Sequence, residues 1–137
     1  MVILVSGSGP NNYDEEWSGH KPFWVIADYL TRNGIAVLRM NDRDYDKSPK
    51  DFYQNTAADF ANDVKAAVNF VKNNSSTKGI PIGLLEHIEG GIVCSMVVYD
   101  NADISFLIPL GTPGFQLDKA NMLAAKNRLS IIWIILM

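Results

Sequence analysis

Leu84-Leu85-Glu86-His87-Ile88-Glu89-Gly90-Gly91 is the stretch on which the fold turns. Pro81-Ile82-Gly83 precedes it and Ile92-Val93-Cys94-Ser95-Met96-Val97-Val98 follows it. A short apolar run reads as a buried strand, and a glycine pair leading into a longer apolar segment reads as a helix packed closely on that strand. The stretch is therefore a strand, a tight turn and a helix. Around it, apolar runs over 2–5, 35–40, 82–85 and 104–110 alternate with helical patterns, the signature of parallel βαβ units with right-handed crossovers. Their unbroken apolar character implies that both faces of the sheet are covered. The expected class is α/β, a three-layer α/β/α sandwich with a mostly parallel sheet.

The helices are legible from their ends and their spacing. Pro22 suits a first helical position, Phe23, Ile26, Ala27 and Leu30 recur at helical intervals, and Gly34 suits the C-terminal cap. Thr56 and Asp59 form a capping-box-like start, after which Phe60, Val64, Ala67, Val68 and Val71 share one face. Residues 73–78 are polar and loop-like. A third helix is expected over about 89–99 and a fourth over about 117–128.

With 137 residues the chain is expected to be one domain, burying roughly two-thirds of its unfolded surface. A net charge of -3, with the twelve Lys and Arg scattered, offers no basic stripe for phosphates and argues against a nucleic-acid partner. One cysteine, Cys94, excludes an internal disulfide and reads as a small apolar residue on an inward helix face. The N-terminus opens directly on strand residues, without a charged leader and cleavage site, which gives the expectation of a cytoplasmic protein. No segment approaches the ~20 apolar residues of a membrane span. The apolar run from Ile131 to Met137 is expected to pack within the domain as a terminal strand or helix, or to serve as an oligomer contact.

A strand, sharp turn and helix written G-x-S-x-G is the nucleophile elbow of serine hydrolases, in which the turn lifts a hydroxyl above the sheet. Aligned on it, Glu86 takes the first glycine position, where it is expected to crowd the turn, Ile88 the nucleophile position and Gly90 the second glycine. Isoleucine has no atom that can attack a carbonyl. Its β-branched side chain also resists the strained backbone such a turn needs, so the turn is expected to have relaxed.

Several segments together resemble the α/β-hydrolase superfamily, most closely its bacterial esterase and dienelactone-hydrolase-like branch. They are the run from Val2 to Pro10 with Gly7-Ser8-Gly9, then Asp14-Glu15-Glu16, Gly19-His20-Lys21-Pro22-Phe23, Ala27-Asp28-Tyr29-Leu30, the run from Gly34 to Arg39, Asp42-Arg43, Lys47-Ser48, Ala58-Asp59-Phe60-Ala61 with Asp63-Val64, and His87 with Glu89-Gly90-Gly91. The resemblance implies a partial α/β-hydrolase fold, truncated at both ends, with the first two and last strands of the full fold missing. It implies an oxyanion hole of main-chain donors, from the loop Gly7-Ser8-Gly9 and from the N–H of Glu89. It implies relatives that act on carboxylic esters through a serine acyl-enzyme. In this family the triad acid and histidine follow the nucleophile, and this chain has no histidine beyond His87. The chain is thus expected to be catalytically inactive, and restoring serine at position 88 and glycine at 86 is expected to give little activity. Asp44 and Asp46 stand where the family usually has glycines, so that loop tip is expected to be reshaped and its carboxylates solvated.

Other chemistry is weaker. His87 directly precedes the nucleophile position, which points its side chain elsewhere, and His20 reads as a structural or pocket-lining residue rather than a base. Glu86, His87 and Glu89 include one histidine where a zinc site such as H-E-x-x-H needs two, so no metal is expected. Gly7-Ser8-Gly9 resembles the start of a dinucleotide fingerprint, but Asn12 holds the third glycine position, Asp42 is only a partial match for the ribose acid, and no cofactor is expected. Tyr13, Trp17, Phe52 and Tyr53 either cover the sheet edge or line a small-molecule cleft. The expected partners are a small ester-like ligand and, through an uncovered sheet edge or the run from Ile131 to Met137, a second copy of the chain. The alternative to a lost hydrolase is a small-molecule-binding or protein-interaction module on the same fold.

Overall fold

The computed structural model describes residues 1–112 and 130–131. In chain order the elements are β1 (Val2–Val5), α1 (Pro22–Arg32), β2 (Val37–Leu38), α2 (Pro49–Phe52), α3 (Ala57–Asn73), β3 (Ile82–His87), α4 (Gly90–Asp100), β4 (Ile104–Leu110) and β5 (Ser130–Ile131). The described strands form one sheet in the order β2-β1-β3-β4-β5, and every pairing is parallel. β1 and β3 are neighbours within it, so the turns after both strands open side by side at the same end of the sheet. The expected three-layer arrangement is present, with β1 sending Val2 and Leu4 to the α1 face and Ile3 and Val5 to the α3–α4 face.

α1 begins with proline at its first position and buries Phe23 and Ala27, and Gly34 beyond its end takes φ +79. At the start of α3 the Thr56 hydroxyl accepts from the Asp59 N–H, while the Asp59 carboxylate accepts from the Thr56 N–H at 2.9 Å. Both orphan donors are thereby satisfied. α3 lays Ala61, Val64, Val68 and Val71 on the sheet, where they join Ile3, Leu84, Val93, Cys94 and Val97 in the larger core. Between β3 and β4 the register slips by one residue at Ile82 and Gly83, so that Ile104 and Leu107 both reach the α3–α4 core although three residues apart. A bulge is the physical reason, since one extra residue inverts the alternation of faces.

Two elements differ from the sequence expectation. The strand expected over 35–40 pairs with β1 only at Val37 and Leu38. Beyond Leu38 the chain satisfies its backbone elsewhere: the Asp42 N–H donates to Asn11 O at 3.0 Å, and Asn41 Oδ1 accepts from the Tyr13 N–H at 2.8 Å. The short helix α2 is an addition, begun by Ser48, whose side chain accepts from the Asp51 N–H, with Pro49 at its first position. The helix expected over 117–128 lies outside the described residues. Of the terminal apolar run, Ile131 belongs to β5, paired with Leu107, and 132–137 lie outside the description. No helix among the described residues is long and apolar enough to cross a membrane.

Candidate functional site

The strand–turn–helix corner is built as its sequence demands, with one departure. β3 runs two residues beyond the expected 82–85 and carries Glu86 and His87 within the strand, Ile88 makes the turn, and Glu89 is the N-cap of α4. Ile88 adopts φ 45, so the turn has not relaxed: a β-branched residue holds the left-handed conformation at a cost of about 1–2 kcal/mol. The surroundings enforce it. The Ile88 N–H donates to Leu110 O at 3.1 Å, and the Ile88 carbonyl accepts from the Gly91 N–H at 3.3 Å, which ties the turn to β4 and to α4. A Cβ at Gly90 would lie 2.6 Å from Ser6 O and 2.9 Å from Val5 O, so only glycine lets α4 approach the end of β1 this closely. The Ile88 side chain is exposed, at 42%.

Glu86 packs beneath the first turn of α4, where a Cβ at Gly91 would lie 3.2 Å from its Oε1. It lies on the same face of β3 as Ile82 and Leu84, beneath α4, and is 1% exposed. Its Oε1 accepts from the Thr112 hydroxyl at 3.4 Å, and Oε2 has no partner among the described residues. Burial pushes its carboxyl up from 4.5 to about 7, against weak opposing bonds from Thr112 and Cys94. The Cys94 thiol is fully buried, as expected, and is pushed well up by desolvation and by Glu86.

His87 faces the other side of the sheet, where Nδ1 lies 2.8 Å from Oε1 of Glu15. The same oxygen accepts the Gly7 N–H at 2.7 Å. Glu15 is 7% exposed and itself sits at φ 50. Its neighbour Asp14, also buried, pairs with Arg39 and approaches Lys21. His20 is exposed and meets Trp17 through two backbone hydrogen bonds. The structure thus separates the two histidines and gives one of them a carboxylate.

The glycine loop after β1 differs in detail from the expected row of free donors. Gly7 is occupied by Glu15, because the loop folds back until that carboxylate reaches its N–H. The Asn11 side-chain amide gathers the carbonyls of Gly7 and Gly9 at 3.1 and 2.9 Å, and Gly9 takes φ 87. The N–H groups of Ser8, Gly9 and Glu89 have no acceptor among the described residues. Beside them, Ser6 donates to Asp42 Oδ1 at 2.5 Å and the Asn11 N–H donates to Oδ2 at 2.9 Å. Burial still raises the Asp42 carboxyl above its ordinary range.

A cavity of ≈ 160 Å³ opens here on the α3 side of the sheet. Gly7, Gly9, Glu89 and Gly90 form its rim, Leu4, Val5, Met40, Phe60 and Val93 its apolar wall, and Asp42 and Asn55 its polar side. Of the four aromatics read from the sequence, Phe52 and Tyr53 line the cavity, while Tyr13 and Trp17 lie exposed outside it. The reason is α2, a one-turn helix announced in the sequence only by the Ser48-Pro49 start, which turns Phe52 inward against Phe60. At the loop tip Asp44 adopts φ 58 where glycine would be at ease, and it is tied down rather than simply solvated. Its carboxylate is engaged by Lys47 and Asn55, which hold it below its ordinary range. Arg43 at the same tip forks onto Asp63 with two bonds of 2.6 Å, fixing the loop to α3.

Glu15, Asp63 and Ser6 are legible in the sequence only as members of the segments that carry the family resemblance. Their roles arise from contacts that no local pattern encodes. Comparison with known proteins agrees with this architecture. A family model described as alpha/beta hydrolase matches residues 41–133, and the chain belongs to that family. Esterase EstD of Thermotoga maritima is 48% identical over 44 residues, a stretch covering 32% of this chain and 11% of that esterase. The match therefore spans only a small part of the relative's length.

Proposed function

We propose that this chain is a carboxylic-ester-hydrolase-type member of its family that does not form an acyl-enzyme. The observation that carries this reading is Ile88, a hydrocarbon side chain exposed at the turn where the family's nucleophile would stand. Acyl transfer requires a hydroxyl, thiol, amine or carboxylate at the attacking position, activated by a base. The corner keeps the left-handed backbone and the close helix approach of a nucleophile elbow, so what is lost is chemistry and not shape. The resemblance to an esterase over a short stretch supports the ester-type assignment.

The test is direct. Incubated with p-nitrophenyl acetate, the chain is expected to release p-nitrophenol at the buffer rate and to carry no acetyl adduct at the corner. Turnover above buffer that disappears on substitution at Ile88 or Glu89 would overturn the reading.

A second reading, ligand binding without turnover, is favoured by the cavity beside the N–H groups of Gly9 and Glu89, which have no acceptor among the described residues. Two main-chain donors at one rim suit a carbonyl oxygen, and about 150 Å³ holds a group the size of benzene. Phenyl acetate is then expected to shift the amide resonances of Gly9, Glu89 and Gly90 on titration. Shifts scattered elsewhere, or none, would count against it.

A further inference from the structure

The cavity beside the corner has walls of two kinds. Toward the sheet, α3 and α4 it is bounded by groups that the core fixes: a Cβ at Gly90 would meet the Ser6 carbonyl oxygen at 2.6 Å, and Val5 and Val64 belong to the larger core. The other kind is α2, a single helical turn that brings Phe52 and Tyr53 to the cavity. We propose that Phe52 sets the size of ligand the cavity admits, limiting the apolar part of a bound ester to a single ring. The proposal rests on the ligand-binding reading above and deepens it, naming the class of ester and the residue that selects it.

Phe52 is a wall and not a flap. It lines the cavity yet is 6% exposed, because its ring lies 5.6 Å from that of Phe60, tilted at 45°, and 5.3 Å from that of Tyr53, edge-on at 87°. Both spacings fall in the range where aromatic pairs attract. Its backbone is held as well. The Phe52 carbonyl accepts from the Asn55 N–H and from Asn55 Nδ2, each at 3.0 Å. Nδ2 also donates to Asp44 at 3.1 Å, and the other Asp44 oxygen pairs with Lys47 at 2.8 Å. A helix this short is not stable by itself, so these bonds keep the ring in place.

Volume then sets the limit. The cavity measures ≈ 160 Å³, and about 150 Å³ of apolar space takes a benzene ring. With a carbonyl oxygen at the N–H groups of Gly9 and Glu89, a fused second ring has to displace part of the wall. The glycine corner and the core behind it resist, since packed interiors transmit strain instead of absorbing it. Phe52 resists while its tethers hold. Shortened to alanine, it vacates the space of a second ring beside the first, and such space stays open because its surroundings relax only in part.

Titration with phenyl acetate and with 2-naphthyl acetate, read from the amide resonances of Gly9, Glu89 and Gly90, tests this on the unaltered chain, Phe52→Ala and Phe70→Ala. Phe70 is an exposed residue of α3 that does not line the cavity. The unaltered chain and Phe70→Ala are expected to favour phenyl acetate by about tenfold or more, the discrimination that an apolar pocket makes against added bulk. In Phe52→Ala that preference is expected to vanish or reverse, which a loss of stability alone does not produce, since it weakens both esters alike. Equal affinity for the two esters in the unaltered chain, or an undiminished preference in Phe52→Ala, would overturn the size limit and leave the ligand-binding reading standing. If neither ester moves those resonances in the unaltered chain, the ligand-binding reading falls and the limit falls with it. Should Phe52→Ala fail to fold, Phe52→Leu decides in the same direction by a smaller relaxation, and an unchanged preference there sinks the proposal.

Discussion

His87 Nδ1 and Glu15 Oε1 lie 2.8 Å apart, joining the end of the third strand to the loop that follows the first across 72 residues of sequence. Because the same carboxylate oxygen also holds the Gly7 N–H, Glu15 fixes the distance between the glycine loop and the corner, the two walls of the cavity rim.

Replacing Glu15 by alanine strips both groups of their acceptor, and charge-assisted bonds of this kind contribute about 1.5–3 kcal/mol each when not fully exposed. Part of that loss is returned by relief of the left-handed backbone at Glu15. The net expectation is a destabilisation of about 2 kcal/mol in urea unfolding, with His87→Ala costing less because it removes one bond and leaves the Gly7 N–H satisfied. A larger loss for His87→Ala than for Glu15→Ala would show that the carboxylate is not the brace.

Ile88 holds φ 45 against its own branching. Asparagine tolerates that backbone region far better. Ile88→Asn is expected to raise stability by about 1 kcal/mol, since relief of strain outweighs the small apolar burial that an already exposed side chain gives up. A fall in thermal midpoint would mean that the Ile88 side chain is held by packing that its exposure does not reveal.

Gly90 admits no side chain without pushing on the Val5 and Ser6 carbonyls. Gly90→Val is therefore expected to destabilise by about 3 kcal/mol or to shift α4 off the sheet, and to abolish any phenyl acetate response at Glu89. Leu84→Ala, in the core beneath the same corner and 0% exposed, is expected to cost about 2–5 kcal/mol while leaving the ligand response per folded molecule intact. The two substitutions thus separate shape at the site from stability beneath it, and equal ligand responses in both would remove Gly90 from the site.

Thr56→Ala removes the hydroxyl that caps α3, with an expected cost of about 1 kcal/mol. The reciprocal Thr56 bonds hold the Asp59 carboxyl below its ordinary range, so the cap's contribution is present above the unfolded carboxyl value and fades as pH falls through the lowered one. The gap between the unaltered chain and Thr56→Ala should therefore narrow in acid, as read by urea midpoints at pH 7 and pH 3. A constant gap would leave the capping box without its charged half.

Local signals specify the helices well. The Thr56–Asp59 box and the Pro22 start are decided by neighbours three or four residues apart, and the apolar runs at Val2–Val5 and Ile104–Leu110 keep their bounds in the fold. The second strand is shorter than its apolar pattern, which continues past Leu38, because its pairing ends where Asn11 and Tyr13 take the backbone and side-chain groups of Asn41 and Asp42. Ile88 is chemically inert, as its side chain dictates, yet its branching does not relax the turn. Bonds to Leu110 and from Gly91 hold the strained backbone, and one of those partners lies on another strand.

What the amino-acid sequence determined by itself is the order of strands and helices and the chemical silence of position 88, because periodicity and capping are local and a hydrocarbon side chain stays inert in any fold. What only the tertiary structure decided is the company each polar group keeps. Glu15 holds the Gly7 N–H and His87, Asp14 pairs with Arg39 and Glu86 keeps one long contact to the Thr112 hydroxyl, three acids of similar chemistry separated by the solvent and partners that the parallel crossovers bring to them. Burial and long-range contact fix the free energy of a charge, and neither is a property of its neighbours in sequence.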